Sequence, residues 1–249
     1  MRLPMWMAKY VEPAAPRHAL VRERVWVLKE LATHCDSKYS INEFFGLRCI
    51  FFHIPKTAGL AVSNALFNNR AAGHIDVETA KVLVGVWRFP YFFKFCFVRN
   101  PWDRLVSAYH YLRKGHPTSP IAHTLMRGAS FAEFVTETLR SPAVARELHI
   151  RPQCSFVVDS RGELVVDFVG RFEHLERDFE TVARRLGQAR KLEAHNQSLH
   201  QDYESYYDDQ TQKIVADFYR QDIELFNYRF AHSVPAKLAA SSDSRDNVR

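Results

Sequence analysis

Between the apolar run CIFFH at 49–53 and a helix-like stretch that begins after Gly59, the chain places Ile54, Pro55, Lys56, Thr57, Ala58 and Gly59. Where a buried strand leaves a sheet and a helix opens, the first helical amides have no acceptor inside the helix. Such amides attract phosphate or sulfate, and here Lys56 adds a point charge and Thr57 a hydroxyl. Gly59 would let the backbone approach an anion with no side chain between them. A nucleoside-triphosphate loop has an early glycine, four residues, and then Gly-Lys-Ser/Thr. Lys56 and Thr57 fit, but Pro55 replaces the glycine before them and Ile50 stands where the earlier one belongs. The residues favour an anion binder with a shorter cradle over an ordinary ATPase or kinase. A capped structural turn is the plain alternative.

A second break follows the same plan. FFKFCFV at 92–98 reads as a strand, Arg99-Asn100-Pro101 as its exit, and 102–114 as a helix. Arg99, at the strand end, presents a planar fork suited to phosphate, and Ser107 in the following helix would pair with it at a terminal phosphate. Arg104 either adds charge there or pairs with Asp103 or Asp159. Trp102 and Tyr109 read as packing residues.

The elements that must hold these groups are legible as patterns. The strand candidate at 49–53 lacks a period of two, as expected when both sheet faces are covered. Two apolar strands, each followed at once by a helix, predict an α/β fold with ligands at the carboxyl ends of the strands. Upstream, 1–19 reads as an irregular arm and 20–34 as a helix. Downstream, Ser130 and Glu133 have capping-box spacing ahead of the stripe Phe131, Phe134, Val135 and Leu139. SFVVD at 155–159 and LVVDFVG at 164–170 suggest two strands joined by a turn. Leu175, Phe179, Val182 and Leu186 mark a helix, and 209–224 another.

Composition sets the outer limits. Of 249 residues, 34 are basic and 28 acidic, a net charge of +6 that suits an anionic ligand. No Lys/Arg run interleaved with stacking aromatics points to nucleic acid. Cys35, Cys49, Cys96 and Cys154 are widely spaced and read as buried free thiols. No HExxH or Cys/His ligand series calls for a metal. No apolar run reaches the roughly 18 residues of a membrane span, so a soluble chain is expected. The N-terminus does not look like a secretory signal.

Together, FFHIPKTAG at 51–59, FCFVRNPWDRLVSAY at 95–109 and VDFVGRFEHLERDF at 166–179 resemble the sulfotransferase superfamily, particularly the carbohydrate sulfotransferases of the family-2 type. More diffuse similarity continues through 206–230, in the expected order. The resemblance implies a three-layer α/β/α, P-loop-like fold with a central, mainly parallel sheet. It assigns the sulfotransferase domain to 48–230; the residues themselves read as an arm and helix over 1–47 and a flexible tail over 231–249. The implied donor is 3′-phosphoadenosine 5′-phosphosulfate (PAPS), with no metal, and the implied acceptor is a hydroxyl, usually on a sugar. Pro55, Lys56, Thr57, Ala58 and Gly59 would form the 5′-phosphosulfate loop, with Lys56 on the transferring group and the following amides around the 5′-phosphate. Arg99 and Ser107 would hold the 3′-phosphate.

Similar proteins often carry a histidine in the interval that holds His74, which makes His74 the leading general base and His53 the alternative. Glu78 would orient His74 or, preferably, cap its own helix. Arg171, in an Arg-Phe-Glu segment such proteins commonly keep, would face the nucleotide or form a salt-bridged helix start. His195, Asn196, Tyr203 and Tyr207 would position the acceptor or stabilise loops. Two other functions stay open: a divergent P-loop phosphotransferase using ATP, and a noncatalytic nucleotide- or glycan-binding protein. The expected setting is a bacterial-type cytoplasm, with a trimmed Golgi luminal domain as the alternative.

Overall fold

The computed structural model describes residues 42–70, 73–115, 127–139, 147–192 and 202–230, with Ile121, Leu125 and Val144 between them. The arm and helix expected over 1–34, and the tail over 231–249, lie outside these residues, as do Cys35, His195 and Asn196.

Strand β1 (Cys49–Phe52) lies parallel to β2 (Phe93–Val98), which lies parallel to β3 (Phe168–Arg171), in the order β1-β2-β3. Every residue of β1 is buried, as is β2 from Lys94 onward, because helices cover the sheet on both faces. The result is an α/β fold of three layers, with the parallel sheet in the middle. Since all three strands run the same way, their carboxyl ends share one edge. Phe52 pairs with Cys96 and Val98 with Arg171, so the chain exits after β1, β2 and β3 emerge side by side.

Short helix α1 (Asn42–Leu47) leads into β1, and α2 (Gly59–Phe67) follows the lysine turn. Helix α3 (Val77–Val84) starts on Asp76, whose side chain accepts from the Thr79 amide at 2.9 Å. The cap expected from Glu78 is therefore supplied by Asp76, and Glu78 instead accepts from Lys81 and the Ser160 amide. Helix α4 (Pro101–Arg113) has proline in its first turn and Asn100 as its cap, with the Asn100 side chain accepting from the Trp102 amide. The capping box of Ser130 and Glu133 forms, opening α5 (Phe131–Glu133), which continues as a π turn over Phe134–Thr138.

Two expectations fail here. Residues 155–159 do not form a strand: Cys154–Val157 is a helical turn, α6, and pairing with 164 survives only as an isolated bridge between Val158 and Leu164. The reason is tertiary. Fully buried Asp222 accepts from the amides of Gln153 and Cys154 at 2.7 and 2.8 Å, which caps a helix and overrides the β preference of Phe-Val-Val. After α7 (Leu175–Arg185), the single helix expected over 209–224 divides into α8 (Asp209–Phe218) and α9 (Arg220–Phe226) at Tyr219. Tyr219 is buried, and its hydroxyl donates to the Ile150 carbonyl at 2.5 Å, an anchor from outside the helix.

Candidate active site

The lysine turn joins β1 to α2 through strained backbone. Lys56 (φ 69°) and Ala58 (φ 65°) both adopt the left-handed region, which costs an L-residue about 1–2 kcal/mol. Such strain persists only when neighbours over-determine the turn. Thr57 is fully buried, and its hydroxyl donates to the Ile54 carbonyl at 2.9 Å, closing the turn from inside. Gly59 is not one of the left-handed residues. It is glycine because an added Cβ would lie 1.9 Å from Cδ2 of His53, so the histidine ring occupies the space a side chain would need.

The turn is held from outside by Arg104, which is fully buried in α4. Its guanidinium donates to the carbonyls of Pro55 (3.3 Å), His149 (3.4 Å), Ile150 (3.1 Å) and Arg151 (2.6 Å), and stacks over Tyr219. It pairs with neither Asp103 nor Asp159, the partners its sequence neighbourhood suggested. Asp103 goes to Arg99, while Asp159 takes Arg161 and Lys81. One buried cation thus ties the lysine turn to the segment 149–151. That tie could not be read from sequence, because its acceptors are backbone carbonyls about 45 residues away.

Arg99 leaves β2 beside the lysine turn. Its Nη1 donates to the Lys56 carbonyl at 3.3 Å, Nε and Nη2 form a bidentate pair with Asp103 at 2.7 Å, and Phe172 stacks on the guanidinium at 4.0 Å. Its backbone is clamped by Gln153, which accepts from the Arg99 amide and donates to its carbonyl, both at 2.9 Å. Lys56 and Arg99 therefore stand in one place. Burial, with Arg99 and Lys114 near, lowers the Lys56 ammonium to about 8. Its Nζ lies 4.3 Å from the centre of the Tyr111 ring.

Rings connect that lysine to the histidines. Tyr111 packs 4.8 Å from His149, His149 lies 6.2 Å from His74, and His74 lies 4.1 Å from His53. His74 Nδ1 is 2.7 Å from the His53 carbonyl. A carbonyl only accepts, so Nδ1 carries the proton and Nε2 the lone pair. Burial, then the neighbouring His53, His149 and Arg151, holds the His74 imidazole well below its ordinary value and hence neutral; the bond to the carbonyl opposes this only in part. His149 and its neighbour Glu147 have no motif to announce them and were not among the residues singled out by sequence.

The other candidates sit at measured removes. Ser107 is buried in α4, two turns beyond Arg99. Arg171, at the end of β3, directs Nη2 to the Phe226 carbonyl at 2.5 Å and stacks on Tyr228. Glu173 accepts from the Asn100 amide at 2.6 Å and from the Tyr228 hydroxyl at 3.0 Å, bracing the β2 exit against the C-terminal segment. Tyr207 donates to the Trp102 carbonyl, and Tyr203 contacts Asn100, so both pack against the start of α4. Cys49, Cys96 and Cys154 are free, and burial raises all three thiols, which makes them poor nucleophiles. Among the described residues, no group of three or more His, Cys, Asp or Glu could hold a metal, and no helix is long and apolar enough to cross a membrane.

The family model described as the Sulfotransferase family matches residues 48–229, from the residue before β1 to just past α9. An uncharacterized protein of Archaeoglobus fulgidus is 30% identical over 110 residues, 44% of this chain and 80% of that protein. No solved structure gives a match.

Proposed function

This chain belongs to the sulfotransferase family, and from that premise we propose that it moves a sulfuryl group from PAPS to a hydroxyl of a carbohydrate acceptor. The observation that supports this most is the meeting of the two strand exits, with Arg99 Nη1 3.3 Å from the Lys56 carbonyl. An adenosine carrying phosphate on both its 3′ and 5′ ribose oxygens would find a cation and the amides that open α2 for one phosphate, and a second cation for the other.

In this reading Pro55 and Lys56 open the cradle, and the amides of Thr57, Ala58 and Gly59, at the positive end of α2, hold the 5′-phosphate. Lys56 neutralises the charge that grows on the leaving phosphate oxygen as the S–O bond breaks. Arg99 keeps two of its five N–H donors outside the bonds described above, and with Ser107 these would take the 3′-phosphate. Asp103 and Phe172 hold the guanidinium in place for that contact. Arg171, committed to Phe226 and Tyr228, would support the nucleotide side of the cleft indirectly by fixing the segment after α9. His74, neutral and with Nε2 as its acceptor atom, would take the proton of the attacking hydroxyl. His53 instead fills the space beside Gly59 and supplies the carbonyl that sets the His74 tautomer.

Radiolabelled sulfate on PAPS tests the proposal. The expected result is label transfer to a saccharide in a panel that spans neutral and acidic glycans, with no magnesium requirement. Turnover of ATP in place of PAPS would contradict it.

A further inference from the structure

Glu147 and His149 are buried together in the segment that Arg104 pins beside the lysine turn. Glu147 Oε1 lies 3.5 Å from His149 Nδ1, a charge-pair distance with no hydrogen bond between the two atoms, and Glu147 Oε2 has no hydrogen-bond partner among the described residues. A carboxylate taken out of water is costly unless a positive charge can form beside it. His149 is the group placed to supply that charge. It is faced by Glu147 from its own segment, by His74 from the segment before α3, and by Tyr111 and Arg104 from α4, with Lys56 on the Tyr111 ring beyond. His74 is placed for the opposite behaviour. Its Nδ1 proton is committed to the His53 carbonyl, and histidines flank it on two sides.

We propose that Glu147 and His149 form the proton store of the transfer site: the hydroxyl proton taken first by His74 comes to rest on His149, where Glu147 balances its charge. The inference rests on the sulfuryl-transfer reading. In the step, the acceptor oxygen forms its bond to sulfur while the bond from sulfur to the bridging phosphate oxygen breaks. The electron pair of that bond stays on the phosphate, beside Lys56. The acceptor's proton passes to His74 Nε2 and then to His149, leaving His74 neutral and an imidazolium–carboxylate pair behind it. The centres of the two rings lie 6.2 Å apart, edge to face. His149 is catalytic in this scheme, and Glu147 is a positioning residue.

Nitrogen-detected NMR titration of the histidines in the full chain, assigned with His74→Gln and His149→Gln, tests the pair without any donor. His149 is expected to protonate at higher pH than His74, and Glu147→Gln is expected to lower the His149 midpoint by about one pH unit. In turnover with PAPS, Glu147→Gln should move the acidic limb of the rate profile in the same direction, whereas Glu147→Asp should restore most of the wild-type position. A His149 that titrates at or below His74, or that ignores Glu147→Gln, overturns the proposal, as does a limb that stays in place. Absence of any transfer by the wild type, with the titrations as expected, would overturn the donor assignment and the catalytic use of the pair together, while leaving its electrostatics established.

Discussion

Lys56 carries two burdens that its type alone does not disclose: left-handed backbone and an ammonium whose affinity for its proton is already reduced. Removing the side chain should strip charge stabilisation from the transition state more than from the bound donor. Lys56→Ala is therefore expected to lower kcat by about 100-fold or more with a much smaller loss of product-nucleotide affinity, measured by single-turnover transfer and calorimetry. The lowered ammonium gives a linked prediction. In the free protein Lys56 loses its proton above about pH 8, and a bound anion favours the charged form. Nucleotide binding above that pH should take up a proton, seen by calorimetry in buffers of different ionisation heat, and Lys56→Met should abolish the uptake. The Pro-Lys-Thr turn was visible in sequence because a lysine and a threonine break an apolar run. The purpose of Gly59 was not, since the contact that demands glycine is with the His53 ring and arises only when the turn folds back. Gly59→Ala should accordingly displace that ring and cost about 1–3 kcal/mol in urea unfolding.

Among the elements, α4 does most to assemble the site: Asn100 caps it, Asp103 orients Arg99, Arg104 ties two loops together, and Tyr111 carries the lysine. Arg104→Met should leave up to four buried carbonyls short of a donor and destabilise the fold by about 2–4 kcal/mol, read from denaturant midpoints. Its effect on transfer should exceed its effect on stability at permissive temperature, because the lysine turn and the histidine segment would drift apart. The boundaries of α4 and β2 were close to legible, since Pro101 and the apolar run 92–98 are strong local signals. Local signal misled at 155–159 and at Tyr219. In both places a buried long-range bond, from Asp222 in one case and to the Ile150 carbonyl in the other, outweighs intrinsic preference.

At the scale of the molecule, the site exists because parallel strands deliver two chain exits, 43 residues apart, to the same edge of a sheet. The α/β class followed from the order of apolar strands and helices, and the pairing of a lysine turn with an arginine turn followed from their similar settings. What sequence could not supply was the third contributor, the segment 147–153, which Arg104, Gln153 and Asp222 hold at the site. The central claim is that Lys56 and Arg99 serve opposite phosphate-bearing ends of one nucleotide. Calorimetric titration of wild type, Arg99→Ala and Lys56→Ala with 3′-phosphoadenosine 5′-phosphate and with adenosine 5′-phosphate tests it most directly. The account predicts that wild type and Lys56→Ala prefer the nucleotide bearing the 3′-phosphate by about tenfold or more, and that Arg99→Ala loses the preference. A preference that survives in Arg99→Ala, or wild-type protein that binds neither nucleotide, would contradict it.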